Sequence, residues 1–117
     1  MKKAIVYHNP RCSKSREVLS ILEENNIEYD VVNYIANPLE ENDLTKILKL
    51  LKISAEDLTR KNDKLFKELH KNSDELTEQD YFNILLKNPT LMQRPIIICN
   101  KRAVIGRPPE TVLSITG

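Results

Sequence analysis

Apolar, β-branched runs occur only near the two ends of this chain, and this restricts the folds open to it. The first run, KAIVY, predicts a buried strand over residues 2–7, running into His8. Pro10 stops it, and Ser13 or Asn9 can cap a helix over about residues 13–26. Val18, Ile21 and Leu22 keep helical spacing there, and Leu19 widens the stripe. EYDVVNY (residues 28–34) reads as a second strand. Strand, helix and strand with short links form the pattern of a parallel βαβ crossover. At the other end RPIIICN (residues 94–100) predicts a buried strand. NKR predicts a tight turn, AVI (residues 103–105) a fourth strand, and Gly106 a bend. A last helix is expected over PPETVLSI, residues 108–115.

The middle is helical. Asn37 is an N-cap candidate, with Pro38 at the first helical position and Glu40 three residues after the cap. Leu44, Ile47, Leu48 and Leu51 then recur at helical spacing. SAEDL (residues 54–58) starts as a capped turn. Residues 63–71 and 77–87 read as helices, with Thr77 and Asp80 at capping-box spacing. The order β-α-β, helices, β-β-α predicts a single α/β domain over residues 1–117, with a helical insertion at about 38–88. A thioredoxin-like four-stranded mixed sheet with flanking helices is one of several α/β arrangements that fit.

Composition removes several functions. A formal net charge of +1 gives no reason to expect nucleic acid or an anionic membrane as partner. No apolar run approaches the ~20 residues of a membrane span. The start MKKAIVYHNP lacks the apolar length and small-residue cleavage site of a signal peptide, so the cytoplasm is the expected location. Two cysteines 87 positions apart are not a disulfide framework, and two histidines give no zinc spacing. No metal is expected. Only Gly106 and Gly117 are glycines, so there is no glycine-rich phosphate loop.

Charge is unevenly placed. Residues 1–16 carry Lys2, Lys3, Arg11, Lys14 and Arg16 with no acid. Residues 91–109 carry Arg94, Lys101, Arg102 and Arg107, again with no acid. If the ends meet, they form a positive site on a nearly neutral protein. Cys12 lies between a strand end and a helix start, where unpaired N–H groups and the helix dipole favour an anion. A free cysteine has a pKa of about 8.5, and such surroundings lower it. Cys12 is therefore the candidate nucleophile. Cys99 follows Ile96, Ile97 and Ile98 and reads as a small core hydrophobe. Ser15 stands three after Cys12, so no C-x-x-C disulfide can close there. Val18 stands six after it, so there is no C-x5-R phosphate cradle.

The motifs YHNPRCSKSRE, LTRK around Arg60, RPIII at residues 94–98 and AVIGRPPE at residues 103–110 together resemble the ArsC family of glutaredoxin-coupled arsenate reductases. The resemblance covers nearly the whole chain and keeps the motifs in order and spacing. It implies a thioredoxin-like fold with a helical insertion. It places Cys12 on the nucleophile and His8 on the histidine associated with activating it. Arg60, Arg94 and Arg107 fall on three oxyanion-binding arginines, and Ser15 on a substrate-side hydroxyl near the thiol. Arg94-Pro95 falls where that fold places a cis proline. It further implies an arsenate oxyanion as substrate, glutathione as co-substrate with no tightly bound cofactor, glutaredoxin as partner, and a monomer.

Elementary electrostatics suits that set of residues. Two unit negative charges at roughly 4 Å repel by roughly 4 kcal/mol at an effective dielectric of about 20. A thiolate thus attacks an oxyanion slowly unless cations neutralise the oxygens, and arginine offers paired donors and a permanent charge. Two other activities fit the same fold. One is a glutathione-dependent thiol-disulfide oxidoreductase without arsenate activity, its arginines binding glutathione carboxylates. The other is an Spx-like regulator binding RNA polymerase, against which Ser15 counts, because that switch uses a C-x-x-C pair.

Overall fold

The computed structural model describes residues 3–70 and 75–116. Lys2 of the first expected strand and Lys71 of the expected 63–71 helix lie outside them. The described residues fall into two compact units, one within 1–37 and 94–117, the other within 38–93.

The first unit is built on a four-stranded mixed sheet of order β2-β1-β3-β4. Its strands are β1 (Ala4–His8), β2 (Tyr29–Asn33), β3 (Ile96–Cys99) and β4 (Arg102–Ile105). β1 pairs parallel to β2, Ala4 opposite Tyr29 and His8 opposite Asn33. It pairs antiparallel to β3, Val6 opposite Ile97. Such a sheet makes this an α/β fold of the thioredoxin-like type, one of the arrangements that the order of runs allows and the one that the family resemblance implies. The β3–β4 hairpin turns through Asn100 and Lys101, both left-handed at φ 57° and 61°. This is the pattern of a two-residue turn whose twist matches the strands.

α1 (Ser13–Glu24) crosses between β1 and β2. Its inner face supplies Val18 and Leu22 to a core with Ala4, Val6, Ile97, Cys99, Val112 and Ile115. The helix stops two residues short of expectation because Asn26 adopts a left-handed φ of 56°. The expected final helix is instead a 3₁₀ turn, Pro109–Val112, followed by α6 (Leu113–Thr116). Gly106 does not serve as a bend with special dihedrals. A Cβ there would lie 2.8 Å from Val18 Cγ2, 3.0 Å from Pro95 Cγ and 3.1 Å from Ile97 Cδ1, so glycine is required for close packing.

The second unit contains α2 (Glu41–Leu51), α3 (Ala55–Leu58), α4 (Lys64–Leu69) and α5 (Glu78–Lys87), then a 3₁₀ turn at Pro89–Leu91. α2 begins later than the Asn37-Pro38 signal suggests. Asn33 Oδ1 accepts from the N–H groups of Ile35 and Ala36, holding that segment in a turn. Glu40 becomes the N-cap, its N–H donating to Asp43 Oδ2 at 3.0 Å. The Thr77–Asp80 capping box forms as its spacing predicts. Glu78, on the first turn of α5, also accepts from Ala55 N–H at 2.7 Å and so caps α3 from another helix. Buried Leu44, Ile47, Leu58, Phe66, Tyr81 and Leu85 make this unit's core. Arg60 and Gln93 donate their backbone N–H groups to Leu91 and Leu58, flanking a Thr59–Met92 bridge. Among the described residues, no helix is long and apolar enough to cross a membrane.

Candidate functional site: a thiol at a helix start

The chain leaves β1 at His8 and enters α1 at Ser13, so four residues must turn it. Asn9 organises that turn. Its carbonyl accepts from Cys12 N–H at 2.9 Å, and its Oδ1 accepts from Arg11 N–H at 3.0 Å. Its own N–H donates to Ser15 Oγ at 3.3 Å. Neither Asn9 nor Ser13 caps α1. Cys12 is the N-cap itself, with extended backbone angles (φ −94°, ψ 119°). Its side chain thus occupies the place where a cap hydroxyl or carboxylate ordinarily meets the first free N–H groups.

The sulfur's ionisation follows from these surroundings. Burial pushes the Cys12 thiol up. The Ser15 N–H, the Arg94 guanidinium and the Lys14 N–H pull it down by more, so its pKa falls below the ordinary thiol value. Arg107 Nη2 lies 3.7 Å from Sγ. Arg107 also donates from Nε to the Arg94 carbonyl at 2.7 Å, which ties the two arginines together. Both belong to the acid-free C-terminal segment. The peptides Arg94-Pro95 and Arg107-Pro108 are both cis.

The local cations are occupied differently. Lys14 pairs with Glu17 at 3.3 Å, and Arg16 donates from Nη1 to the Pro10 carbonyl at 2.7 Å. The acid-free ends therefore do meet, but the cations at the sulfur come from the distant segment.

His8 is 9% exposed, and among the described residues its buried Nδ1 has no hydrogen-bond partner. Burial and then the Arg16 charge lower its pKa below the ordinary imidazole value. Near neutral pH it is a neutral base, not a cation that stabilises the thiolate by charge. Ser15 is fully buried. Its hydroxyl is engaged by Asn9, and it is the Ser15 backbone N–H that faces the sulfur.

The structure thus gathers Cys12, His8, Ser15, Arg94 and Arg107 in the first unit. Arg60 belongs to the second unit, between α3 and α4, where its Nη1 pairs with Asp63 Oδ2 at 3.5 Å. Cys99 lies in β3 within the sheet core, as its apolar run predicts. Among the described residues there is no metal-binding cluster. By sequence Asn9 is only a candidate cap. The signal for its actual work was the Asn-Pro pair, since asparagine closes turns on N–H groups two residues on.

The ArsC family model matches residues 7–115. "Uncharacterized protein YfgD" of Escherichia coli K12 is 46% identical over 117 residues, 99% of this chain and 98% of that protein. An arsenate reductase of Haemophilus influenzae is 40% identical over 112 residues, 95% of this chain and 97% of that one. The solved structure of an arsenate reductase from Vibrio cholerae is similar with a TM-score of 0.90 at 36% identity, covering 97% of each chain.

Proposed function

The chain belongs to the ArsC family, and from that premise we propose that it is an arsenate reductase in which Cys12 is the nucleophile. The observation that carries this reading is the sulfur's setting. It is an N-cap thiol with a lowered pKa, and Arg107 stands 3.7 Å away. Such a thiol is ionised more readily than a free one, and the arginines that favour the thiolate can also bind the oxygens of a tetrahedral oxyanion.

In the proposed reaction the Cys12 thiolate attacks arsenic. An arsenic–sulfur bond forms, and one arsenate oxygen leaves as water after taking up protons. Arsenic is still +5 in that adduct. Two thiols supply the two electrons that bring it to +3 and end joined as a disulfide, so arsenate and two thiols yield arsenite, a disulfide and water. Cys12 has no second thiol nearby in sequence, since Ser15 holds the C-x-x-C position. Cys99 is committed to the sheet core. Both thiols that end as the disulfide are therefore external. Glutathione adds to the arsenic adduct; a glutaredoxin thiol attacks the glutathione sulfur, so that the two end as a mixed disulfide and arsenic falls to +3; water then cleaves the Cys12–arsenic bond, releasing arsenite and the free thiol.

Arg94 and Arg107 hold the oxyanion, and Arg60 is the third arginine of the set. His8, neutral, can accept a proton from an incoming thiol. Ser15 supports the site through its N–H and through its bond to Asn9. No tightly bound cofactor is part of this reaction, and a monomer in the cytoplasm suffices for it.

The test is a coupled assay with arsenate, glutathione, glutaredoxin and NADPH-linked glutathione reduction. Arsenite release that vanishes in Cys12→Ser is the expected result. Turnover of glutathione mixed disulfides with no arsenite would replace this reading with the thiol-disulfide oxidoreductase.

A further inference from the structure

The turn ahead of Cys12 is closed from two directions. The bonds made by Asn9 are neutral and lie within the turn, apart from the one to the Ser15 hydroxyl. The remaining closure comes from Arg16, in the first turns of α1. Its guanidinium donates to the Pro10 carbonyl at 2.7 Å, and its backbone N–H donates to the Cys12 carbonyl at 3.2 Å. The side chain thus reaches back six residues to the turn, while the backbone bond is the i→i−4 bond that opens α1. A bond from an ionised donor is roughly twice as strong as a neutral one. Lys14, its neighbour, is neutralised by Glu17. Among the described residues no carboxylate pairs with Arg16, so its charge remains available to the turn.

We infer that Arg16 is a positioning residue of the thiol site, locking the His8–Cys12 turn against α1 through the Pro10 carbonyl and presenting its charge to His8. The bond holds the turn that carries Cys12, whose pKa the Ser15 and Lys14 N–H groups help to lower. The charge adds, after burial, to what lowers the His8 pKa. The charged groups around the turn divide cleanly. Arg94 and Arg107 act on the sulfur, Arg16 acts on His8, and the β2 residue opposite His8 is the uncharged Asn33. Arg16 touches neither sulfur nor substrate, so its effect passes through Cys12 and His8. This inference rests on Cys12 being the reacting thiol of the proposed function, but it is read without arsenate.

The experiment uses the full chain as wild type, Arg16→Ala, Arg16→Gln and Arg16→Lys. Iodoacetamide alkylation of Cys12 is followed against pH by peptide mass spectrometry, and the His8 ring is titrated by NMR. In Arg16→Ala the alkylation profile should move to higher pH, slowing the reaction near neutrality by about three- to tenfold. The His8 pKa should rise toward the ordinary imidazole value. Arg16→Lys should restore the His8 titration. Arg16→Gln, which can still donate to the Pro10 carbonyl, should recover part of the alkylation rate but not the His8 titration. Should Arg16→Ala fail to fold, the lysine and glutamine variants carry the same contrast. A melting temperature that falls while both profiles stay at wild type would reduce Arg16 to a structural bond and overturn the inference. Because alkylation needs no arsenate, that failure is separable from failure of the reductase reading.

Discussion

Cys12 and Cys99 are buried to almost the same degree, 7% and 3% exposed, yet their surroundings share almost nothing. Cys99 is the last residue of β3 and packs in the sheet core with Ala4, Val6, Val18 and Ile97. Cys12 is the N-cap of α1, where the Ser15 and Lys14 N–H groups and the Arg94 guanidinium lower its pKa and Arg107 Nη2 lies 3.7 Å from its sulfur. Burial alone raises a thiol's pKa, because it penalises the charged form. At Cys12 that penalty is present and is outweighed by donors and cations. A buried thiol is thus inert or reactive according to the dipoles and charges facing it, not according to how much water reaches it.

The largest expected effect breaks the Cys12 side of this contrast. Arg107 serves two partners at once, the sulfur and the Arg94 carbonyl, through different nitrogens of one planar group. Lysine keeps the charge but cannot span both. Arg107→Lys should lower arsenite release by about 10²-fold, the scale for losing one donor to a developing oxyanion. Cys99→Ala should leave the same assay within about twofold while costing about 1 kcal/mol of stability, the cost of a small cavity. Equal losses in the two variants would erase the distinction between the sites.

Gly106 joins the two regions, and a strain placed there sharpens the comparison. It packs on Val18 and Ile97 of the Cys99 core, while the next residue, Arg107, serves Cys12. Gly106→Ala forces a methyl to within 2.8 Å of Val18 Cγ2. Overpacking of this kind costs about 1–3 kcal/mol, which denaturant melts would record. Arsenite release should fall as well, because Arg107 is displaced with its neighbour. A stable and fully active Gly106→Ala would show that the core yields without disturbing the site.

The smallest effect is a pH dependence of stability. His8 has a depressed pKa in the folded chain. In the unfolded chain it binds a proton more readily, near its ordinary value of about 6.5. Its contribution is therefore fully present above pH ~6.5 and is lost as pH falls toward the folded value. Wild type should lose stability between pH 7.5 and about 5.5, and His8→Gln should lose less over the same window. Parallel curves for the two proteins would mean that His8 is not buried as a neutral base.

Much of this was legible in the chain itself. Short β-branched runs at the two ends, with helical spacing between them, gave the sheet and the order of its elements. Cys99 was placed by the three isoleucines before it. Cys12 stood out at a helix start in an acid-free segment, whereas Arg94 and Arg107 were set apart from Lys101 and Arg102 of their own acid-free segment only by the family resemblance. Other features depend on contacts that no local pattern carries. Arg11, Lys14 and Arg16 are nearest to Cys12 in sequence and look like the source of its activation. Lys14 instead turns to Glu17, Arg16 to a carbonyl, and the arginines at the sulfur arrive from roughly 80 to 95 residues away. Gly106 read as a bend, because side-chain crowding from a helix and a neighbouring strand is a tertiary fact. α2 started late because an asparagine four residues before Asn37 had already claimed the turn.

The central claim is that surroundings, and not burial, separate the two thiols. Site-resolved alkylation of the native protein against pH tests it most directly. Cys12 should react with a midpoint clearly below that of a free cysteine thiol, about 8.5, while Cys99 stays unlabelled until the chain is unfolded. A Cys12 midpoint at or above that of a free thiol, or Cys99 labelling as fast as Cys12 in the folded protein, would contradict it.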